Sequence, residues 1–292
     1  MYKNILLACI AFLSFSARMK AGDAGGMGVL GGKNGDLFGT RTRFIENVGQ
    51  YGNVLDRHQG LGQIQFAYEG LNMPVLFTSS GIAFLQRKVE ALDHEARERL
   101  EAKGITEEEL SLMTSVTERV ITMEWIGGDP FARFHYELQA EGYHTYGTPR
   151  PARGFQRVTC GDVWPGIDVV FTLDPQGRAG FEYSFVIHPG ADPASIALRF
   201  GGDVDKVRVN SDDQLVLRTD IDGITQSLPV GFYGDERTRG EVPFAWDVLG
   251  HEARIRPLVE PDRGRTLVID PFVTSTTNLT GIDANKAIDV DF

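Results

Sequence analysis

The side chains of this chain that could do chemistry are mostly carboxylates. Asp168, Glu182 and Asp192 lie within one short stretch. Two of them could serve as the acid and base of a glycoside hydrolase, which needs carboxyl groups held about 5–10 Å apart. Asp220, Asp222 and Gly223 resemble a fragment of a calcium loop, as do Asp283, Asn285, Asp289 and Asp291. Calcium wants six to eight oxygens, and neither group has the glutamate that completes an EF-hand loop. Asp and Asn form hydrogen-bonded turns without any ion. Asp220, Asp222, Asp283 and Asp289 are therefore read as turn residues first and as calcium ligands only second.

Other reactive patterns are sparse. The sequence contains no H-E-x-x-H, no G-x-S-x-G and no C-x-x-C. Of six histidines only His135 and His144 are neighbours, and their odd spacing sends them to opposite faces of a strand. Zinc needs three or four converging ligands, so no metal site is expected there. Gly26-Met-Gly28-Val-Leu-Gly31 satisfies G-x-G-x-x-G, but no strand precedes it and no helix follows. Asn34 stands after Gly32-Lys33 where a phosphate loop needs Ser or Thr, so nucleotide binding is not expected. Trp125, Trp164 and Trp246 each sit in an apolar run and read as core rather than as a sugar platform. No catalytic residue, cofactor or metal is assigned.

Residues 1–21 read as a secretory signal. Lys3 gives a positive start, Ile5–Phe15 an apolar run too short to span a bilayer, and small residues follow. Cys9 would leave with that segment, so Cys160 is the single mature thiol and reads as a buried small hydrophobe. The net charge of −11 argues against nucleic acid or an anionic membrane as partner. Residues 22–42 are rich in glycine and read as a flexible leader.

The elements that must position these groups are strands. Ile167–Leu173, Ala179–Ile187 and Ser195–Phe200 form the central run. Within it Phe181, Tyr183, Phe185 and Ile187 share one face, and Glu182, Ser184 and His188 the other. Further strands are expected at 63–68, 74–78, 81–86, 120–126, 142–146, 155–160, 206–209, 214–219, 223–228, 242–249, 251–256 and 266–269. The pattern breaks at 87–113. There Val89, Leu92, Ala96 and Leu100 stand at helical spacing, Gly104 can cap a helix, and Thr106-Glu-Glu-Glu109 makes a capping box for a second. A helical hairpin inserted between strands is the expectation. No βαβ alternation is visible, so the fold class is all-β, with one or two packed antiparallel β-sandwiches.

Four motifs carry a resemblance. Phe44-Ile-Glu46-Asn47-Val-Gly49-Gln50 opens the series. Val163-Trp164-Pro165-Gly166-Ile167-Asp168 and Pro189-Gly190-Ala-Asp192-Pro193 follow in its middle, and Leu267-Val-Ile269-Asp270-Pro271 comes last. Together they resemble an uncharacterised β domain that precedes SBBP β-propeller repeats in exported bacterial surface proteins, often type IX-secreted. The resemblance runs from about Arg43 onward and implies a domain at 43–272 with no established catalytic role. It also implies that 273–292, which begins a new alternation, is the truncated start of a repeat array. The reading is thus a non-catalytic N-terminal module of a secreted or cell-surface protein. Its expected partners are downstream domains of the same polypeptide and a cell-surface polymer or protein. A secreted polysaccharide hydrolase and a calcium-stabilised adhesion module are the alternatives.

Overall fold

Period-two alternation of apolar residues dominates the chain, and strands dominate its structure. The computed structural model describes residues 43–71, 73–111, 113–173, 180–234 and 241–275. The expected signal, leader and repeat-like tail from 276 lie outside the described residues, as do Asp283 and Asp289.

The strands in order are β1 (Phe44–Glu46), β2 (Phe66–Tyr68), β3 (Val75–Thr78), β4 (Gly81–Ala91), β5 (Thr114–Trp125), β6 (Arg133–His144) and β7 (Ala152–Trp164). Then come β8 (Ile167–Leu173), β9 (Phe181–Ile187), β10 (Ala197–Gly202), β11 (Lys206–Val209), β12 (Leu215–Arg218) and β13 (Gly223–Gln226). The last are β14 (Val230–Tyr233), β15 (Val242–Leu249), β16 (Glu252–Pro257), β17 (Leu267–Asp270) and β18 (Phe272–Ser275). All eighteen belong to one hydrogen-bonded sheet, and every pairing with a described register is antiparallel.

The ladders close on themselves. From β1 they run through β2, β3, β4, β5, β10, β16, β15, β14, β17, β9, β8 and β7, and back to β1. Two branches leave this circuit. β6 pairs with β7, and β11–β12–β13 attaches through β18 to β9.

β9 lies at the centre. It pairs with β8 along its whole length and with both β17 and β18 on its other side. Phe181, Tyr183 and Phe185 are fully buried and Ile187 nearly so, as their spacing predicts. Ser184 is buried as well, so the opposite face is also covered at mid-strand. Phe44, Phe66, Phe77, Phe171 and Phe181 pack around one another, with Phe66 and Phe77 stacked at 4.3 Å and most other pairs edge-on. Trp125, Trp164, Trp246 and Cys160 are buried, as expected.

The insert differs from its expected bounds. β4 continues to Ala91 beside β5, with Arg87 donating two hydrogen bonds to Glu118. Residues 87–91 are therefore strand, and Val89 is exposed. Residues 91–115 fall in a separate compact unit. Within it α1 (His94–Glu101) starts where Asp93 accepts from Ala96 N at 2.8 Å, and Gly104 turns the chain at φ 85°. The capping box is present. Thr106 N donates to Glu109 Oε2 at 2.9 Å, and Glu109 N donates to Thr106 Oγ1, opening α2 (Glu107–Ser111). Arg97 bridges to Glu107 from α1 to α2.

Three further corrections concern strands. The strand expected at 142–146 overlaps only the end of a longer one, β6, whose alternation is interrupted by the register shift between Gln139 and Tyr143. β14 was not expected at all. Val273, placed in the downstream segment by sequence, is fully buried in the core, so the sheet runs to Ser275.

Candidate functional site

The two middle motifs meet at one end of β8 and β9. The turn between β7 and β8 pairs Trp164 with Ile167, and Gly166 takes φ 72°. A Cβ at Gly166 would lie 3.0 Å from that of Ala191. Asp162, itself at φ 51°, accepts from Gly166 N at 3.2 Å. Asp168 Oδ1 accepts from Asp162 N at 2.7 Å, and Asp168 Oδ2 lies 2.8 Å from His188 Nε2. His188 N donates to Gly166 O at 2.9 Å, so both strand ends are tied together.

The second turn continues the cluster. Gly190 at φ 89° donates to Arg263 O, and Ala191 N donates to His188 O. Asp192 accepts from Ala194 N at 3.2 Å and starts the 3₁₀ turn Pro193–Ser195, with Pro193 buried at its first position. Arg263 lies 3.6 Å from Asp192 and 3.4 Å from Glu260.

A carboxylate holding an imidazole is the orienting half of a nucleophilic triad. Cys160 does not supply the third member. Cys160 is 1% exposed, and burial first, then the charge of Asp168, pushes its thiol up to about 12, where it is unreactive. Among the described residues no group of three His, Cys, Asp or Glu side chains could hold a metal ion.

The carboxylates proposed for hydrolysis do not converge. Asp168 pairs across from Val186, and Glu182 stands four residues away on β9, which is about 13 Å along the strand. Asp192 is engaged by its own turn and Arg263. Asp220 accepts two hydrogen bonds from Arg119, at 2.7 and 2.6 Å, and this ion pair lowers its carboxyl below the usual range. Asp222 accepts from Gly223 N at 2.7 Å. Neither turns toward a shared ion. His135 and His144 do share β6, but they pair with Thr159 and Ala152, about 23 Å apart along β7.

The opening motif builds a second, tighter constellation. Glu46 receives Arg150 and Arg153 at 2.9–3.2 Å, both through two nitrogens. The Arg153 hydrogen bond leads in holding the Glu46 carboxyl down at about 2, against the opposing effect of burial. Asn47 donates to Ile64 O and accepts from Gly49 N, while Gln50 donates to Glu46 O and accepts from Val48 N. Gly49 takes φ 106°. An open hollow of about 460 Å³ lies beside it, lined by Asn47, Asn53, Asp56, Gln63 and Ile64 among others.

The closing motif also serves the backbone. Ile269 is buried, Pro271 O accepts from Tyr183 N at 3.3 Å, and Pro271 separates β17 from β18. Asp270 sits opposite Val230. Sequence reasoning missed the Glu46 clamp, because its arginines lie more than a hundred residues away and no local pattern marks them.

A domain of unknown function, DUF7948, matches residues 44–272, and the chain belongs to that family. No curated protein matches the chain, and no solved structure does.

Proposed function

We propose that this DUF7948 domain is a non-catalytic module of an exported, cell-surface protein, which carries downstream repeats and presents them. One observation carries the reading. Glu46, Asn47, Gln50, Trp164, Asp168 and Asp192, polar side chains of the first three motifs, bind neighbouring backbone or paired side chains. Such residues hold turns in place. The finer architecture proposed with it is two packed layers of the one sheet around the aromatic core, with 94–111 as a helical hairpin insert. Residues 1–21 are proposed as a cleaved signal and 22–42 as a leader.

The hydrolase reading requires carboxylates about 5–10 Å apart, and the spacing of Asp168 and Glu182 works against it. The calcium-adhesion reading meets Asp220 already held by Arg119. The test is to express the whole chain with a C-terminal tag and treat intact cells with protease. Loss of the tag, with a mature N-terminus beyond residue 16, supports the proposal. A protected, unprocessed chain overturns it, and so does release of reducing sugar from a polysaccharide panel by the purified protein.

A further inference from the structure

Among the described residues β6 pairs with β7 alone, which leaves a twelve-residue strand with one side open. An open strand edge is a template for another strand. Its core-facing residues Phe134 and Tyr136 are only part-buried. They line a hollow of about 410 Å³ with Gln65, Ser79, Pro130 and Phe131, and Phe131 is 85% exposed. On the outer face Arg133, His135, Glu137 and Gln139 are all exposed. Leu138 at φ 53° and the shift between Gln139 and Tyr143 confine regular pairing to the first half of the strand.

That half is complementary to itself when run antiparallel about His135. Arg133 then faces Glu137 of the other copy, and Glu137 faces its Arg133. Phe134 faces Tyr136 twice, over the two hollows. Opposite charges and aromatic pairs directly across a ladder are the favourable cross-strand combinations. Centring on Glu137 instead would set two glutamates face to face, so charge selects the first register. We propose that β6 docks on β6 of a second copy of this chain, forming a two-fold dimer through a continuous antiparallel sheet with His135 on the axis. The contact is isologous and therefore stops at two copies.

The register is tested by cross-linking the whole chain carrying Cys9→Ser, since Cys160 is buried. His135→Cys places two thiols on Cα atoms about 5 Å apart, within disulfide reach. Glu137→Cys places them about 13 Å apart, beyond it. Mild oxidation should give a covalent dimer from the first variant and little from the second. Sedimentation of the unmodified chain should show dimer, lost in Arg133→Glu and in Glu137→Arg and restored when both changes are combined. Monomer at every concentration up to about 100 µM overturns the proposal. Equal cross-linking of the two cysteine variants overturns it too, as does a dimer indifferent to the charge changes. Unaltered circular dichroism separates loss of docking from loss of fold.

Discussion

β6 and β9 both carry alternating aromatic residues, Phe134 and Tyr136 in one and Phe181, Tyr183 and Phe185 in the other, yet they live in opposite surroundings. β9 has a strand on each side and its aromatic face is fully buried. β6 has a described partner on one side, its Phe134 and Tyr136 are part-buried, and its other residues are mostly exposed. The same period of two therefore builds a core in one place and a surface in the other. What separates them is the number of neighbours.

The largest expected effect tests the β9 half of this contrast. Phe185→Ala should cost about 3–5 kcal/mol in a urea melt, as a truncation in a closed core. A loss below 1 kcal/mol would place Phe185 at a site that can collapse or refill. Glu46→Gln, at the clamp, should cost about 2 kcal/mol, because two guanidinium groups lose a charged acceptor. That contribution has a pH signature. The native carboxyl sits at about 2, below its ordinary 4.5, so the stabilisation is complete above about pH 4.5 and is lost as pH falls toward 2. The stability gap between wild type and Glu46→Gln should narrow across that window, and a constant gap would refute the assignment.

β6 predicts the opposite sign. Leu138 is 65% exposed and holds a left-handed conformation that a branched side chain resists. Leu138→Gly should raise stability by about 0.5 kcal/mol, the relief of strain outweighing the added freedom of the unfolded chain. A clear loss would mean that Leu138 packs against something in solution. The smallest change is expected at His188→Ala. Its hydrogen bond with Asp168 is half exposed on the imidazole side, so the melting temperature should move by the equivalent of about 0.5 kcal/mol. A shift as large as that of Phe185→Ala would erase the distinction between the two faces of β9.

The contrast also marks what a sequence reader can see. β9, β8 and β15 were legible because burial on one face leaves an alternating apolar record. The capping of α1 and α2 was legible because Gly104, Thr106 and Glu109 act within a few residues of one another. β6 was seen only at its end, because the alternation of Phe134 and Tyr136 with Arg133, His135 and Glu137 spans few residues before the exposed Leu138 and the register shift interrupt it. The start of α1 was placed too early because Val89 fits both a helix stripe and a strand. The motif residues were visible as motifs, but their roles were not. Those roles depend on partners brought in by the ladders: Arg150 and Arg153 to Glu46, His188 to Asp168, and Arg263 to Asp192.

The route by which the ladders return to β1 passes through β17, which alone among the described strands joins β14 to β9. In chain order β17 follows every other strand of that circuit. Until it emerges, the nascent polypeptide has unsatisfied edges at both β9 and β14, and synthesis of that length takes on the order of tens of seconds. No shorter amino-terminal fragment can complete the fold, so truncation anywhere before Leu267 should leave an open, protease-sensitive intermediate. A domain whose ladder circuit is completed by a strand so late in its order cannot close that circuit until nearly all of it has been made.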